Sequence, residues 1–377
     1  MKLTPLPNAV RTIRKARGLT RAAAAAAAGL DAEVLSQVEE LPTELTKARV
    51  LGLAHALAVP VQFLFFKKLE IAPNLPDFRT TGNRPAVLTP RALTRVERAK
   101  SIISYLGDGL FGEAAAHPLV GTAHVKDGVQ AAAKALAAFY KPSSRPDGSI
   151  DPVKTFRDTR VKVEREGIIV LCDRVTGDGF RGFCFSDAGP FPLIMINTAD
   201  QRPATKLFTL MHEIVHVLLG RTGVSDPNVL ENEVERFCNK VTAAVMMPEA
   251  AFVQLYDQHK QENVRSTTSA LAHWFGVSKS AAALRVAELG LAPDFYGRWL
   301  KALPAKIPMI QEEEEGEASG GGGLGAQISR FGYLLPRVLG RAVKDHTVSV
   351  LDAYRLTHLS PKTFSELATI GEKTLGA

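Results

Sequence analysis

The 377-residue chain has only three cysteines, Cys172, Cys184 and Cys238, and no two of them stand in a C-x-x-C pair. They read as small buried hydrophobes that do not compete for a metal. No run of eighteen apolar residues occurs, which argues against a membrane-spanning helix. The opening Met1-Lys2-Leu3-Thr4-Pro5 lacks an apolar h-region, so no secretory signal is expected. With few unpaired cysteines, that points to the cytoplasm. The formal net charge of +7 permits nucleic-acid contact without requiring it. The length suffices for two to four domains with real cores.

What the chain does have is Thr209-Leu210-Met211-His212-Glu213-Ile214-Val215-His216-Val217, an H-E-x-x-H motif in an apolar run. His212 and His216 are four residues apart, so on an α-helix both imidazoles lie on one face, one turn apart. Two neutral imidazoles so placed hold one Zn²⁺, and Glu213 falls beside the metal, where it acts on a water. The competing reading is a half-buried helix with two surface histidines.

A catalytic zinc site needs a third protein ligand and an open position. Residues 230 to 247 contain no Gly or Pro and end at Pro248, which predicts one long helix carrying Glu231, Glu233 and Glu235. Glu235 is the expected ligand, because it adjoins the apolar stripe Val234, Cys238, Val241, Val245 that should face the core. Glu231 and Glu233 sit where the helix dipole alone favours a carboxylate. Asn239, one turn after Glu235, is a candidate outer partner for a ligating imidazole, or an ordinary polar position.

Residues 8–66 read as four or five short helices. Thr20 and Asp31 are expected N-caps for the Ala-rich stretch Arg21 to Ala28 and for Ala32 to Glu40. Lys47 to Ala58 turns Val50, Leu53, Ala54 and Leu57 inward. Helix, short turn, helix at this spacing is a helix-turn-helix unit. Its would-be recognition helix carries Asp31, Glu33, Glu39 and Glu40 and no Lys or Arg. Acidic groups repel phosphates, so the unit serves either DNA binding or dimerisation and partner docking. Ser36, Gln37 and Arg21 are the candidate DNA contacts. Arg79, Arg84, Arg91, Arg95, Arg98 and Lys100 face only Glu97 in their window. They form either a solvated linker or a phosphate-binding arm, with a helix starting near Arg91.

The N-terminal pattern, with Leu53-Ala54-His55-Ala56-Leu57-Ala58-Val59-Pro60, resembles an Xre-type DNA-binding domain. Further on, Glu164 to Val170 reads as a helix end, a Gly stop and a strand. Two more strands, Phe180–Asp187 and Pro192–Asn197, precede the H-E-x-x-H helix, and Glu235-x-x-x-Asn239 leads to Met247-Pro248. In order and spacing, residues 150–300 resemble the ImmA/IrrE family of metallo-endopeptidases. The resemblance implies zinc ligands at His212, His216 and Glu235 with a catalytic Glu213, as in gluzincins. It also implies fusion to an Xre-type domain and cleavage of a DNA-binding repressor. Leu271 to Arg285 reads as a second helix, Gly turn, helix unit with Ser278 as N-cap, favouring packing over base reading.

The expected architecture is α+β. A zincin-like metallopeptidase core, a small antiparallel sheet plus the H-E-x-x-H helix, is flanked by all-α helix-turn-helix domains. The expected boundaries are 1–70 for the Xre-type domain, 71–105 for a basic linker and helix start, and 106–262 for the metallopeptidase. A helix-turn-helix-like module at 263–305, an acidic and Gly-rich linker at 306–325 and a helical C-terminal domain at 326–377 follow.

The expected activity is that of a zinc-dependent endopeptidase, with Mn²⁺ as an alternative metal. Its substrate is a regulatory protein, such as a repressor encoded nearby, in a stress, DNA-damage or mobile-element response. DNA through the N-terminal domain and a second copy of the chain are the other expected partners. Tyr256, His259 and His273 are candidates for a second oxyanion donor, and the hairpin edge around 180–197 for pairing with an extended substrate. The alternative is an Xre-family regulator or antitoxin-like protein whose peptidase-like domain senses a ligand.

Overall fold

The computed structural model describes residues 2–57, 59, 61–66, 90–107, 116–176, 181–186, 189–199, 201–225, 233–260, 263–302 and 323–376. Glu231, Arg79, Arg84 and the acidic and Gly-rich linker lie outside these residues. The described residues fall into two compact units, divided between Ile102 and Ile103.

The first unit holds strand β1 (Lys2–Leu3) and helices α1 (Pro7–Ala16), α2 (Arg21–Ala27) and α3 (Ala32–Glu40). Strand β2 (Leu45–Thr46), α4 (Lys47–Ala56) and most of α5 (Pro90–Ser104) complete it. Thr20 caps α2 by accepting from the Ala23 amide at 3.1 Å. Asp31 occupies the N-cap position of α3, with no side-chain capping hydrogen bond among the described residues. Val10, Ile13, Leu35, Val38, Val50, Leu53 and Leu57 are fully buried, so each short helix is stabilised by its apolar face, not by its length. β1 and β2 pair antiparallel, Lys2 opposite Thr46.

The charges on α3 are not all presented to solvent. Glu39 is fully buried and is gripped by Arg14 Nε at 2.5 Å and Arg21 Nε at 3.0 Å. Glu39, read from sequence as surface chemistry, is therefore engaged inside the unit, and Arg21 pairs with it from the surface. A buried carboxylate is tolerable only when so paired.

The second unit contains α6 (Gly128–Ala137), α7 (Pro152–Arg165), β3 (Ile169–Asp173), β4 (Gly182–Phe185), β5 (Leu193–Asn197), α8 (Pro203–Leu218) and β6 (Gly223–Ser225). It continues with α9 (Glu233–Met246), α10 (Glu249–His259), α11 (Val264–Trp274), α12 (Lys279–Glu288) and α13 (Phe295–Lys301). The last helices are α14 (Leu324–Phe331), α15 (Leu334–Lys344), α16 (Val350–Thr357) and α17 (Pro361–Leu375).

The sheet order is β3-β5-β4-β6. β4 is antiparallel to β5 and to β6, but β3 runs parallel to β5, Ile169 opposite Leu193. The sheet is thus mixed, not antiparallel as read from sequence, because β5 inserts between β3 and β4. This corrects a second expectation: β4 and β5 are interior strands with both sides paired, so the hairpin has no open edge for a substrate. Among the described strands the edges are β3 and β6.

One apolar core joins α6, α8, α9 and the sheet to α11, α12 and α13 through Leu210, Ile214, Val241, Leu271, Phe275, Val286 and Trp299. Gly276 turns the chain between α11 and α12 at φ +62°, and a Cβ there would meet Ile150 Cγ2 at 2.9 Å. The second helix, Gly turn, helix unit is therefore packing, part of the second unit's core.

Residues 326–376 group with this same unit. The reason is polar stitching onto α7 and β3. Arg160 donates to the carbonyls of Ser329 at 2.6 Å and of Val170. The Tyr333 amide donates to Glu164 at 3.0 Å, and Arg330 pairs with Asp173 at 3.1 Å.

Candidate metal centre

Helix α8 begins with Pro203 at its first turn, where a missing amide costs nothing and the fixed φ suits a helix. From Thr209 to Leu218 every residue is buried. A helix apolar all round lies inside a protein, and this explains why its sequence shows no polar face. His212, Glu213 and His216 are the ionisable groups in that buried stretch. Burying three such groups is costly unless they are engaged.

α9 packs across α8 and brings Glu235 to the histidines. His212 Nε2 lies 3.1 Å from Glu235 Oε2, His216 Nε2 lies 3.1 Å from Glu235 Oε1, and the two Nε2 atoms lie 3.1 Å apart. These three contacts cannot all be hydrogen bonds. Each imidazole nitrogen has one in-plane site, either a proton or a lone pair, and serves one partner. A cation at the common point would be served by all of them. For a tetrahedral ion with nitrogen and oxygen ligands at about 2.0–2.1 Å, the edge between ligands is about 3.3 Å. The observed triangle therefore suits a small divalent cation.

The electrostatics have the same sense. Burial works against the Glu235 anion, but hydrogen bonds and charge from His212 and His216 outweigh it and hold the carboxyl well below its usual range. Burial opposes the charged form of His216, yet Cys238 and Glu235 draw its pKa upward. The pocket favours positive charge at this point, whether a proton or a metal supplies it.

Glu213 is fully buried, and its Oε1 would lie 2.7 Å from a Cβ placed on Gly182. The carboxylate therefore lies against β4 at the one residue there without a side chain. Thr209, one turn before Glu213, donates to Gln201 at 3.1 Å, and Gln201 donates to the Asn197 and Arg181 carbonyls. This ties α8 to the end of β5.

Of the other residues singled out from sequence, Glu233 is exposed at the start of α9. Asn239 is half-buried, and among the described residues no hydrogen bond joins it to His212 or His216. Cys238 instead reaches the centre: its sulfur and one ring nitrogen from each of His212 and His216 lie within 4.8 Å of one another. It sits three residues after Glu235 and shares its face, a relation visible in the sequence but read there as core. Tyr256 donates to the Leu291 carbonyl at 3.4 Å, and His273 Nε2 lies 3.0 Å from Asp147. His259 is half-buried at the end of α10.

In the first unit, Ser36 is half-buried and its hydroxyl donates to Glu40 at 3.3 Å; Gln37 is exposed. Arg21 also pairs with Glu40, at 3.3 Å. Of the three candidate DNA contacts, only Gln37 stands outside this network. Arg17 and Lys100 both bind Glu97, at 2.9 and 3.3 Å.

Comparison with known proteins agrees with this layout. The IrrE N-terminal-like domain family matches residues 163–287, and the helix-turn-helix family matches residues 10–64. The chain carries an N-terminal helix-turn-helix fused to an IrrE-type domain. It is similar to the radiation response metalloprotease IrrE of Deinococcus radiodurans, at 28% identity over 135 residues. That stretch covers 34% of this chain and 40% of the relative, less than half of either. No solved structure matches. No helix among the described residues is long and apolar enough to cross a membrane.

Proposed function

We propose that this chain is a zinc-dependent endopeptidase with a zincin-like core, in which His212, His216 and Glu235 hold the metal and Glu213 is the catalytic base. The observation that carries the reading is the 3.1 Å triangle of ligand atoms with Glu213 on the same buried turn of α8. Zn²⁺ bound there supplies Lewis acidity, acidifying a water and polarising the scissile carbonyl; Mn²⁺ is the alternative metal. Glu213 takes the proton of the attacking water and delivers it to the leaving amine. The walls of Gly182 and Thr209 fix the carboxylate for both transfers. A buried, water-poor setting strengthens each of these interactions.

The substrate class follows from the company the domain keeps. A helix-turn-helix fused to a peptidase-like domain supports a regulatory role, and the similar IrrE protein is named for a radiation response. The proposed substrate is a DNA-binding repressor or other regulatory protein in a stress response. The proposed location is the cytoplasm, where three free buried thiols persist. DNA contact through the first unit rests on exposed Gln37 and the fold, and a gel shift over a salt series tests it.

Metal analysis and cleavage test the activity together. The purified protein should contain about one zinc per chain, lost in His212→Ala. Glu213→Gln should keep the metal and lose cleavage of a co-incubated repressor. Undiminished cleavage by Glu213→Gln would sink the mechanism.

A further inference from the structure

Cys238 has no evident reason to face the metal centre if it is only a small apolar filler. It is fully buried. Its sulfur and one ring nitrogen from each of His212 and His216 lie within 4.8 Å of one another. Among the described residues, the buried His216 has no hydrogen-bond partner at Nδ1. Ligating imidazoles ordinarily anchor that second nitrogen. Cys238 is instead grouped with both histidines and interacts directly with the His216 ring. In a tetrahedral zinc site with sulfur at about 2.3 Å and nitrogen at about 2.0–2.1 Å, the sulfur-to-nitrogen edge is about 3.6 Å. Each sulfur-to-nitrogen spacing in the cluster is at most 4.8 Å, about 1 Å beyond that edge at the limit.

We propose that Cys238 is a fourth protein ligand for the metal held by His212, His216 and Glu235, giving the centre a closed state beside its open one. This rests on the metal reading above. On closing, the thiol proton leaves to solvent, the sulfur lone pair forms the bond to the metal, and a water molecule is released. No oxidation state changes. Four protein ligands are the mark of a structural zinc site, and a catalytic one keeps a position open. Thiolate ligation would hold the peptidase at rest until the sulfur moves away. It would also favour a thiolate-binding ion such as Zn²⁺ over Mn²⁺, which prefers oxygen ligands.

The test replaces the metal with Co²⁺ in the full chain. Thiolate ligation gives a sulfur-to-cobalt charge-transfer band in the near ultraviolet. That band is expected in the unaltered protein and should vanish in Cys238→Ala with Co²⁺ still bound at the same stoichiometry. Cys238→Ala should also narrow the preference for Zn²⁺ over Mn²⁺ in a competition titration. Bound Co²⁺ without the band, or a band that survives Cys238→Ala, overturns the proposal and leaves the metal site standing. If the chain binds no Co²⁺ and no Zn²⁺, the metal reading fails first.

Discussion

Gly182 on β4 and Glu213 on α8 are fitted to each other: a methyl group at position 182 would lie 2.7 Å from Glu213 Oε1 and 2.9 Å from Thr209 Cγ2. Neither neighbour can retreat freely, since both sit on the buried helix that carries the histidines. Gly182→Ala should displace the Glu213 carboxylate. A misplacement of about 1 Å costs on the order of 100-fold in rate, and overpacking costs roughly 1–3 kcal/mol in stability. The expected result is a fall of that size in kcat with zinc content unchanged. A variant of normal kcat would show that Glu213 has room to spare.

The triangle of His212, His216 and Glu235 predicts that the metal stabilises the second unit. A ligand bound only by the native state adds about 2.7 kcal/mol when its free concentration is 100 times its Kd. A chelator should lower the Tm of the unaltered chain and leave His212→Ala unmoved. Equal sensitivity in both proteins would place the metal elsewhere.

The clasp of Glu39 by Arg14 and Arg21 predicts a strong effect inside the helix-turn-helix. Removing the buried partner strands the Arg14 charge, and breaking a buried pair costs roughly 3 kcal/mol or more. Glu39→Ala should unfold the first unit at a lower denaturant concentration, followed by circular dichroism of the full chain. Hydrogen bonds from the two arginines overcome burial and lower the Glu39 pKa. Its stabilising contribution is therefore present above the unfolded carboxylate pKa and is lost as pH falls through the folded one.

Glu164 predicts the opposite slope. It is fully buried beneath the C-terminal helices, and burial pushes its carboxyl from an ordinary 4.5 up to about 7 against the pull of Arg160 and the Tyr333 and Val170 amides. A raised folded pKa means the native state holds the proton more tightly. The contribution is full below pH 4.5 and is lost as pH rises through about 7, a change of roughly 3 kcal/mol. Denaturant midpoints at pH 5 and pH 8 should differ by less in Glu164→Gln than in the unaltered chain.

Much of this was readable from residues alone. Periodicity and caps located the short N-terminal helices, α5 near Arg91, the strands around Ile169, Gly182 and Leu193, and α12 behind Ser278. These signals are local: a cap, a Gly stop and an apolar spacing each act within one turn. H-E-x-x-H fixed which side chains share a helix face for the same reason. The choice of Glu235 among three glutamates came from the apolar stripe beside it, and the fold brings that carboxylate to the histidines.

Other features depended on residues far apart in the chain. The parallel pairing of β3 with β5, and hence the loss of a free hairpin edge, follows from strand order, which no local pattern carries. Glu39 looked like a charge offered to solvent until Arg14, 25 residues away, was seen to neutralise it. The tail looked independent because its links run from Arg160 to Ser329 across 169 positions.

The sequence by itself determined the helices, their faces and the presence of a two-histidine motif, because backbone geometry converts spacing directly into direction. Only the tertiary structure decided that α9 crosses α8 so that Glu235 and Cys238 both meet those histidines, and that Gly182 stands against Glu213. Such meetings are set by how buried faces pack, a property of the whole core and not of any one segment.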